Sequence, residues 1–111
     1  MSFEFRDTNV YKLSLDYNKI IKQILKENKI QRSLADQFIR AANSITLNIA
    51  EGYGRFHKAD KRHFYVTARA SVYECIACAD LIYDGKIPNY IIATSERLAK
   101  MLSGLINKFK D

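Results

Sequence analysis

Two glutamates and two small polar residues recur at matching intervals, Asn48 with Glu51 and Ser71 with Glu74. Three residues is close to one helical turn, so each pair falls on one flank of its helix. If the two flanks face each other, Asn48, Glu51, Ser71 and Glu74 bring a pair of carboxylates together. Paired carboxylates serve general acid–base work or metal binding. The same four residues also fit a hydrogen-bonded polar layer that fixes helix register, as a buried Asn does in coiled coils. The polar layer is the preferred expectation.

Other chemistry-bearing patterns are incomplete. Cys75-Ile76-Ala77-Cys78 is a C-x-x-C, but a zinc site needs four ligands and no second pair or suitable His pair accompanies it. A thioredoxin-type motif sits at a strand-to-helix junction, whereas these cysteines fall inside a helical pattern, on its core seam. They read as small buried hydrophobes. A di-iron bundle needs Glu-x-x-His on two helices, and the nearest match is a single Asp60-x-x-His63. Gly52-Tyr53-Gly54 has neither the spacing of a phosphate loop nor that of a dinucleotide fingerprint. No serine stands beside a histidine as an activated nucleophile. The expectation is a protein without catalytic residues, metal or cofactor.

Charge offers more. Lys and Arg number 18 against 12 Asp and Glu, a net charge of +6 with a pI near 9.4. Such a chain is drawn to polyanions, of which nucleic acid is the commonest inside a cell. The basic residues concentrate in two places. One is the run Arg55-Phe56-His57-Lys58-Ala59-Asp60-Lys61-Arg62-His63, at the start of a helix, where cations oppose the helix dipole. The other is Lys12, Lys19, Lys22, Lys26 and Lys29, which share one arc of a helix, opposite its apolar seam. Such a ridge is usually a solvated face, and it can also track a phosphate backbone.

Four segments must position these residues. Each shows apolar or small residues at alternating spacings of four and three, the seam of a packed helix. The seams are Leu13, Tyr17, Ile20, Ile24; then Leu34, Phe38, Ala41, Ile45, Asn48, Gly52; then Phe64, Ala68, Ser71, Cys75, Cys78, Ile82; and Ile91, Ser95, Leu98, Leu102, Leu105, Phe109. The first helix should fray through Asn28 and Lys29. Ser33 should cap the second, with Asp36 in its first turn. Gly52 and Gly54 should end the second, Gly85 should follow the third, and Pro88 suits the first turn of the fourth. Short connections make neighbours antiparallel, so the expected fold is an all-α, antiparallel up-down four-helix bundle forming one domain over residues 1–111. Leu47, Tyr65, Tyr73, Ile76, Tyr83 and Ile92 lie off the seams, an excess that suits a subunit interface.

No stretch approaches the roughly 20 apolar residues of a membrane helix. The N-terminus lacks the order of a secretion signal, and two unpaired cysteines fit a reducing compartment. The expected location is the cytoplasm, with no membrane partner.

Ser44-Ile45-Thr46-Leu47-Asn48-Ile49-Ala50-Glu51-Gly52-Tyr53-Gly54-Arg55, with Ala68-Arg69-Ala70-Ser71-Val72-Tyr73-Glu74 and the preceding Gln37…Arg40-Ala41-Ala42-Asn43-Ser44, resembles the bacterial four helix bundle protein family. Its founding members are encoded in intervening sequences of 23S ribosomal RNA genes. The resemblance covers nearly the whole chain. It implies a bundle assembled as a ring-shaped homopentamer without enzymatic activity. It also implies a relationship to the accessory variability determinant of diversity-generating retroelements, a basic pentamer that binds nucleic acid and a reverse transcriptase. The Glu27–Arg32 connection is shorter than the family's usual proline-containing one, and Cys75 stands where a larger aliphatic is common.

The functional expectation is a non-enzymatic, oligomeric nucleic-acid-binding protein. It would take structured RNA or RNA–DNA duplexes through Arg55, Lys58, Lys61 and Arg62, with Lys12, Lys19, Lys22 and Lys26 as a second strip. Phosphate contacts of this kind give affinity with little sequence choice. The alternative is a protein–protein adaptor, for instance for a reverse transcriptase, in which charge only steers.

Overall fold

The computed structural model describes residues 3–110. Four α-helices make up most of them: α1 Asn9–Glu27, α2 Arg32–Gly54, α3 Lys58–Tyr83 and α4 Asn89–Lys108. A short 3-10 turn, Glu4–Asp7, precedes α1, and no strand occurs among the described residues. No described helix is long and apolar enough to cross a membrane.

Each seam forms a helix, and the seams close on one core. Tyr17, Ile24, Phe38, Ile45, Cys75, Ile91, Leu98 and Leu102 are all fully buried. At three positions the neighbour of a seam residue is the more buried one; on α2 it is Ile49, beside the half-buried Asn48. On α1 it is Ile21 that is buried, while Ile20 packs only partly against the core. On α3 the buried aromatic is Tyr65, 2% exposed, and Phe64 is only half-buried. The heptad-like spacing places either neighbour near the seam; packing against the adjoining helix selects one.

Helix ends follow local chemistry, with three corrections. Thr8 caps α1, its hydroxyl accepting the Tyr11 amide at 3.4 Å. Asn28 closes α1 by donating its side-chain amide to the Ile24 carbonyl at 2.9 Å. Ser33 does not cap α2. The helix begins at Arg32 behind Gln31, whose carbonyl accepts the Ala35 amide at 3.0 Å. Asp36 therefore lies beyond the first turn. Gly85 follows α3 as expected, at φ 80°, and Asp84 before it is also left-handed, at φ 56°. Aspartate tolerates that conformation better than most side chains. The Gly85 amide reaches back to Asp80 at 3.0 Å to close the helix end. Pro88 stands immediately before α4, and its carbonyl accepts the Ile91 and Ile92 amides.

Polar side chains link neighbouring helices. Asn18 on α1 donates to Ala42 O at 3.1 Å and Thr46 Oγ1 at 2.9 Å on α2, and Thr46 donates to Ser14 at 3.1 Å. Tyr17 meets Ser95 of α4 at 2.7 Å, and Ser95 donates to Ile91 O. The hydroxyls of Ser71 on α3 and Ser44 on α2 share a hydrogen bond at 2.9 Å, and Arg69 of α3 donates to Ser103 of α4 at 2.9 Å. Among the described residues no buried side-chain nitrogen or oxygen lacks a partner.

The α2–α3 contact is the most extensive, and at Gly52 it leaves no room for a side chain. A Cβ added there would lie 2.7 Å from Cε1 of the buried Tyr65 ring. Gly52 is thus required by the approach of Tyr65, besides its place near the helix end. Gly104, inside α4, has open space around it. The two glycines should respond oppositely to alanine. Gly52→Ala should cost about 1–3 kcal/mol through overpacking, whereas Gly104→Ala should gain up to about 1 kcal/mol of helix propensity. Thermal unfolding of the two variants distinguishes the signs.

Candidate nucleic-acid interface

The lysine ridge of α1 exists as a continuous exposed strip. Lys12, Lys19, Lys22 and Lys26 all lie on the solvent face, and Lys29 is exposed just past the helix end. Lys29 therefore extends the strip without belonging to the helix. Among the described residues the one ion pair within 4.0 Å is Arg55–Glu51, so the ridge keeps its charge unpaired by any described carboxylate. Lys19 and Lys22 also border a shallow groove between α1 and α2, with Asn18, Asn43, Thr46 and Leu47 on its walls.

The basic run at the α2–α3 connection divides its labour. Arg55 follows α2, pairs with Glu51 at 3.2 Å and lays its guanidinium 4.7 Å from the centre of the Phe64 ring. Lys61 reaches back from α3 and donates to the carbonyls of Tyr53 at 2.8 Å and Gly52 at 3.3 Å. Arg62 donates to the carbonyl of Phe109, just past α4, at 3.5 Å. Lys58 is exposed, with no ion pair to a described carboxylate.

These contacts explain why cations stand where α3 begins. The N-terminal dipole of α3 disfavours them, but the carbonyl-bearing ends of α2 and α4 lie within reach and favour them. Lys61 and Arg62 therefore act partly as caps for neighbouring helices. Their charge still contributes to the local positive field.

The four-residue polar layer forms only in part. Asn48 donates to the carbonyl of Ser44 at 2.8 Å and to its hydroxyl at 3.0 Å, and Ser71 joins the same hydroxyl. Ser44 thus bridges Asn48 and Ser71. Glu51 and Glu74 are exposed and stand outside this cluster. Glu51 turns to Arg55, and Glu74 accepts a 3.4 Å bond from Gln37. The two carboxylates do not form a shared site, because each sits one step further round its helix, toward solvent.

Asp60 and His63 are exposed, and among the described residues no group of three or more His, Cys, Asp and Glu is placed to hold a metal. Cys75 and Cys78 are free and buried. Burial pushes both thiols up, with smaller contributions from neighbouring acidic groups. A thiol held neutral is a poor nucleophile and metal ligand.

One basic residue outside both clusters emerges from the structure. Arg69 is held by Ser103 and by the Tyr73 hydroxyl at 2.9 Å, with its guanidinium 4.9 Å from the Tyr73 ring centre. It lines the α3–α4 groove with Arg97 and Lys100. Arg69 and Tyr73 are four residues apart, a spacing that pairs side chains on a helix and was the available signal in the sequence.

A family model described as 23S rRNA-intervening sequence protein matches residues 6–108, in agreement with the resemblance carried by Asn48–Arg55. No curated protein and no solved structure matches the chain.

Two outcomes follow for the residues just described. Lys61→Met should destabilise by about 0.5–1.5 kcal/mol, because it strips donors from the α2 end. Lys58→Met should stay within about 0.5 kcal/mol; denaturant unfolding of both tests the contrast. For the thiols, the unfolded chain releases a cysteine proton near the ordinary value of 9.0 while folded Cys75 retains it. The unfolded state then binds fewer protons, so stability is full below about pH 9 and falls as pH rises above it. The slope is at most about 1.4 kcal/mol per pH unit for each such group. Unfolding measured from pH 7 to 10.5 should show this fall, and Cys75→Ala should make it shallower.

Proposed function

The chain belongs to the 23S rRNA-intervening sequence protein family, and from that premise we propose that it is a basic, oligomeric, non-enzymatic protein that binds structured RNA or RNA–DNA duplexes through their phosphates. The observation that carries this reading is the unpaired α1 ridge of Lys12, Lys19, Lys22 and Lys26. At 1.5 Å per residue the ridge is roughly 21 Å long. A duplex carries one charge per about 1.7 Å of its axis, so a strip of that length faces many phosphates. Lys58 adds a free cation at the α2–α3 connection, and Arg55, Lys61 and Arg62 raise the potential around it.

The pairs that meet across the helices support an antiparallel up-down bundle as the scaffold. Numbers rise on one helix as they fall on the next: Ser14 meets Thr46 and Asn18 meets Ala42, Ser44 meets Ser71 and Gln37 meets Glu74, and Arg69 meets Ser103 while Arg62 meets Phe109. A stripe on α3, Val66, Ala70, Tyr73, Ala77 and Leu81, supports self-association. These residues repeat at spacings of three and four and are all exposed, Leu81 by 71% and Tyr73 by 58%. We take the assembly to be the ring-shaped homopentamer, working in the cytoplasm, where two free buried thiols are at home.

The same stripe favours a second reading, a protein–protein adaptor whose apolar face receives a partner. Charge would then serve only to steer the encounter.

Titration of the purified protein against labelled RNA and hybrid duplexes at several salt concentrations, with its mass in solution, tests the proposal. The expected result is micromolar or tighter binding that weakens steeply with salt, from a particle of about five chains. Replacing Lys12, Lys19, Lys22 and Lys26 by Gln should weaken binding to all sequences alike and reduce the salt slope by roughly one per lysine in contact. No binding at low salt overturns the proposal. A protein partner retained from nuclease-treated lysate would then favour the adaptor.

A further inference from the structure

Phe56 is 96% exposed, more than any other large hydrophobic residue described. It sits in the middle of the three-residue connection Arg55–His57 between α2 and α3. The other rings nearby have partners: Phe64 lies under Arg55, Phe109 lies against Tyr65 and under Lys61 and Lys108, and the exposed Tyr53 meets Phe5 and Lys61. No aromatic pair or cation–ring contact among the described residues includes Phe56. Water is therefore its main contact.

The backbone that presents this ring is held on both sides. The Arg55 amide bonds to Gly52 O at 3.3 Å, the Lys61 amide bonds to His57 O at 3.0 Å, and Lys61 Nζ grips the end of α2. A ring on a held connection loses less freedom on binding than one on a slack loop. Its immediate neighbours Arg55, His57 and Lys58 are exposed. The nearest carboxylates in sequence are Glu51, already paired with Arg55, and Asp60 in the first turn of α3.

We propose that Phe56 stacks on an unpaired nucleobase while Lys58 holds the adjoining phosphate, so that this end of the molecule selects loops, bulges or strand ends over continuous duplex. This rests on the nucleic-acid reading above and adds to it the kind of substrate. An isolated flat ring between cations matches a single base with its phosphates, which combine one π-face with negative charge. A protein partner or second subunit would need a contiguous apolar patch, and the residues beside Phe56 are charged or imidazole-bearing. In a continuous duplex the bases are already stacked, so the ring has no partner there. In RNA, unpaired bases in loops and bulges are the ones open to aromatic side chains.

The test compares an RNA hairpin carrying 2-aminopurine in an unpaired loop with a blunt RNA duplex of equal length. The full chain is used, as wild type, Phe56→Leu and Phe56→Trp. Phe56→Leu should weaken hairpin binding at least about fivefold and abolish the loop fluorescence quench. It should leave duplex affinity and the salt slope unchanged, because the ring carries no charge. Phe56→Trp, which keeps a stacking face, should restore both hairpin signals. Equal affinity of Phe56→Leu and wild type for the hairpin overturns the inference. So does a drop in particle mass, which would make the ring a subunit contact, or a Phe56-dependent affinity for anionic vesicles in place of the hairpin. If wild type binds duplex with the expected salt dependence but the hairpin no better, only this inference fails. Absence of binding to either RNA removes the nucleic-acid reading itself.

Discussion

The close approach of α2 and α3 at Gly52 sets the rest of the molecule in place. Only a residue without a side chain leaves room for the Tyr65 ring, whose Cε1 would stand 2.7 Å from any Cβ at that position. Small residues continue the contact away from this point, with Ala41, Ala42, Ala68 and Ser71 buried on the two helices. Once α3 lies this close, its first turn is beside the last turn of α2. Lys61 then reaches the Gly52 and Tyr53 carbonyls, and Arg55 covers Phe64. The Tyr65 ring in turn packs 5.9 Å from Phe109, bringing the end of α4 to the same place. The basic end of the molecule is thus a product of one glycine's missing side chain.

Apolar packing alone tolerates sliding of one helix along another, and the buried and half-buried polar links remove that freedom. Each is worth only about 1 kcal/mol net, but a shift of register would strand its donor or acceptor at a cost of about 1–3 kcal/mol. Ser14 with Thr46, Ser44 with Ser71, Tyr17 with Ser95 and Arg69 with Ser103 supply one such link at each of four helix contacts. Most use hydroxyls that also bond to their own helix. Ser71 donates to Thr67 O and Ser95 to Ile91 O, so both lone groups are satisfied without a charge in the core.

The four helices were legible because their seams repeat over many turns, and repetition outweighs any one ambiguous position. Single positions were less legible. Ile20 and Ile21 are adjacent and equally apolar, and so in effect are Phe64 and Tyr65; the choice between them is made by the neighbouring helix. Ser33 has the chemistry of a cap, yet α2 begins before it at Arg32. Asp84 takes a left-handed conformation as well as the glycine after it. For the candidate site, periodicity was enough to show the lysine ridge, which depends only on α1. The roles of Lys61 and Arg62 were not readable, because their partners are main-chain carbonyls of other helices. Glu51 and Glu74 shared a spacing with Asn48 and Ser71, but a spacing of three carries them off the buried line toward solvent. The exposure of Phe56 was hidden for a related reason: within a basic run, an aromatic residue looks the same whether it is tucked in or projecting.

Both cysteines of the chain, Cys75 and Cys78, are buried in the core, and burial keeps their thiols protonated. An accessible thiolate is the nucleophile that attacks a maleimide or a thiol-specific spin label, so burial should keep the native protein quiet toward such reagents without any cysteine being removed. A single cysteine placed on an exposed helix position would then be the one fast-reacting group. The natural sequence is thereby already suited to site-specific attachment of fluorophores or distance probes, with its own sulfur atoms serving as core filling.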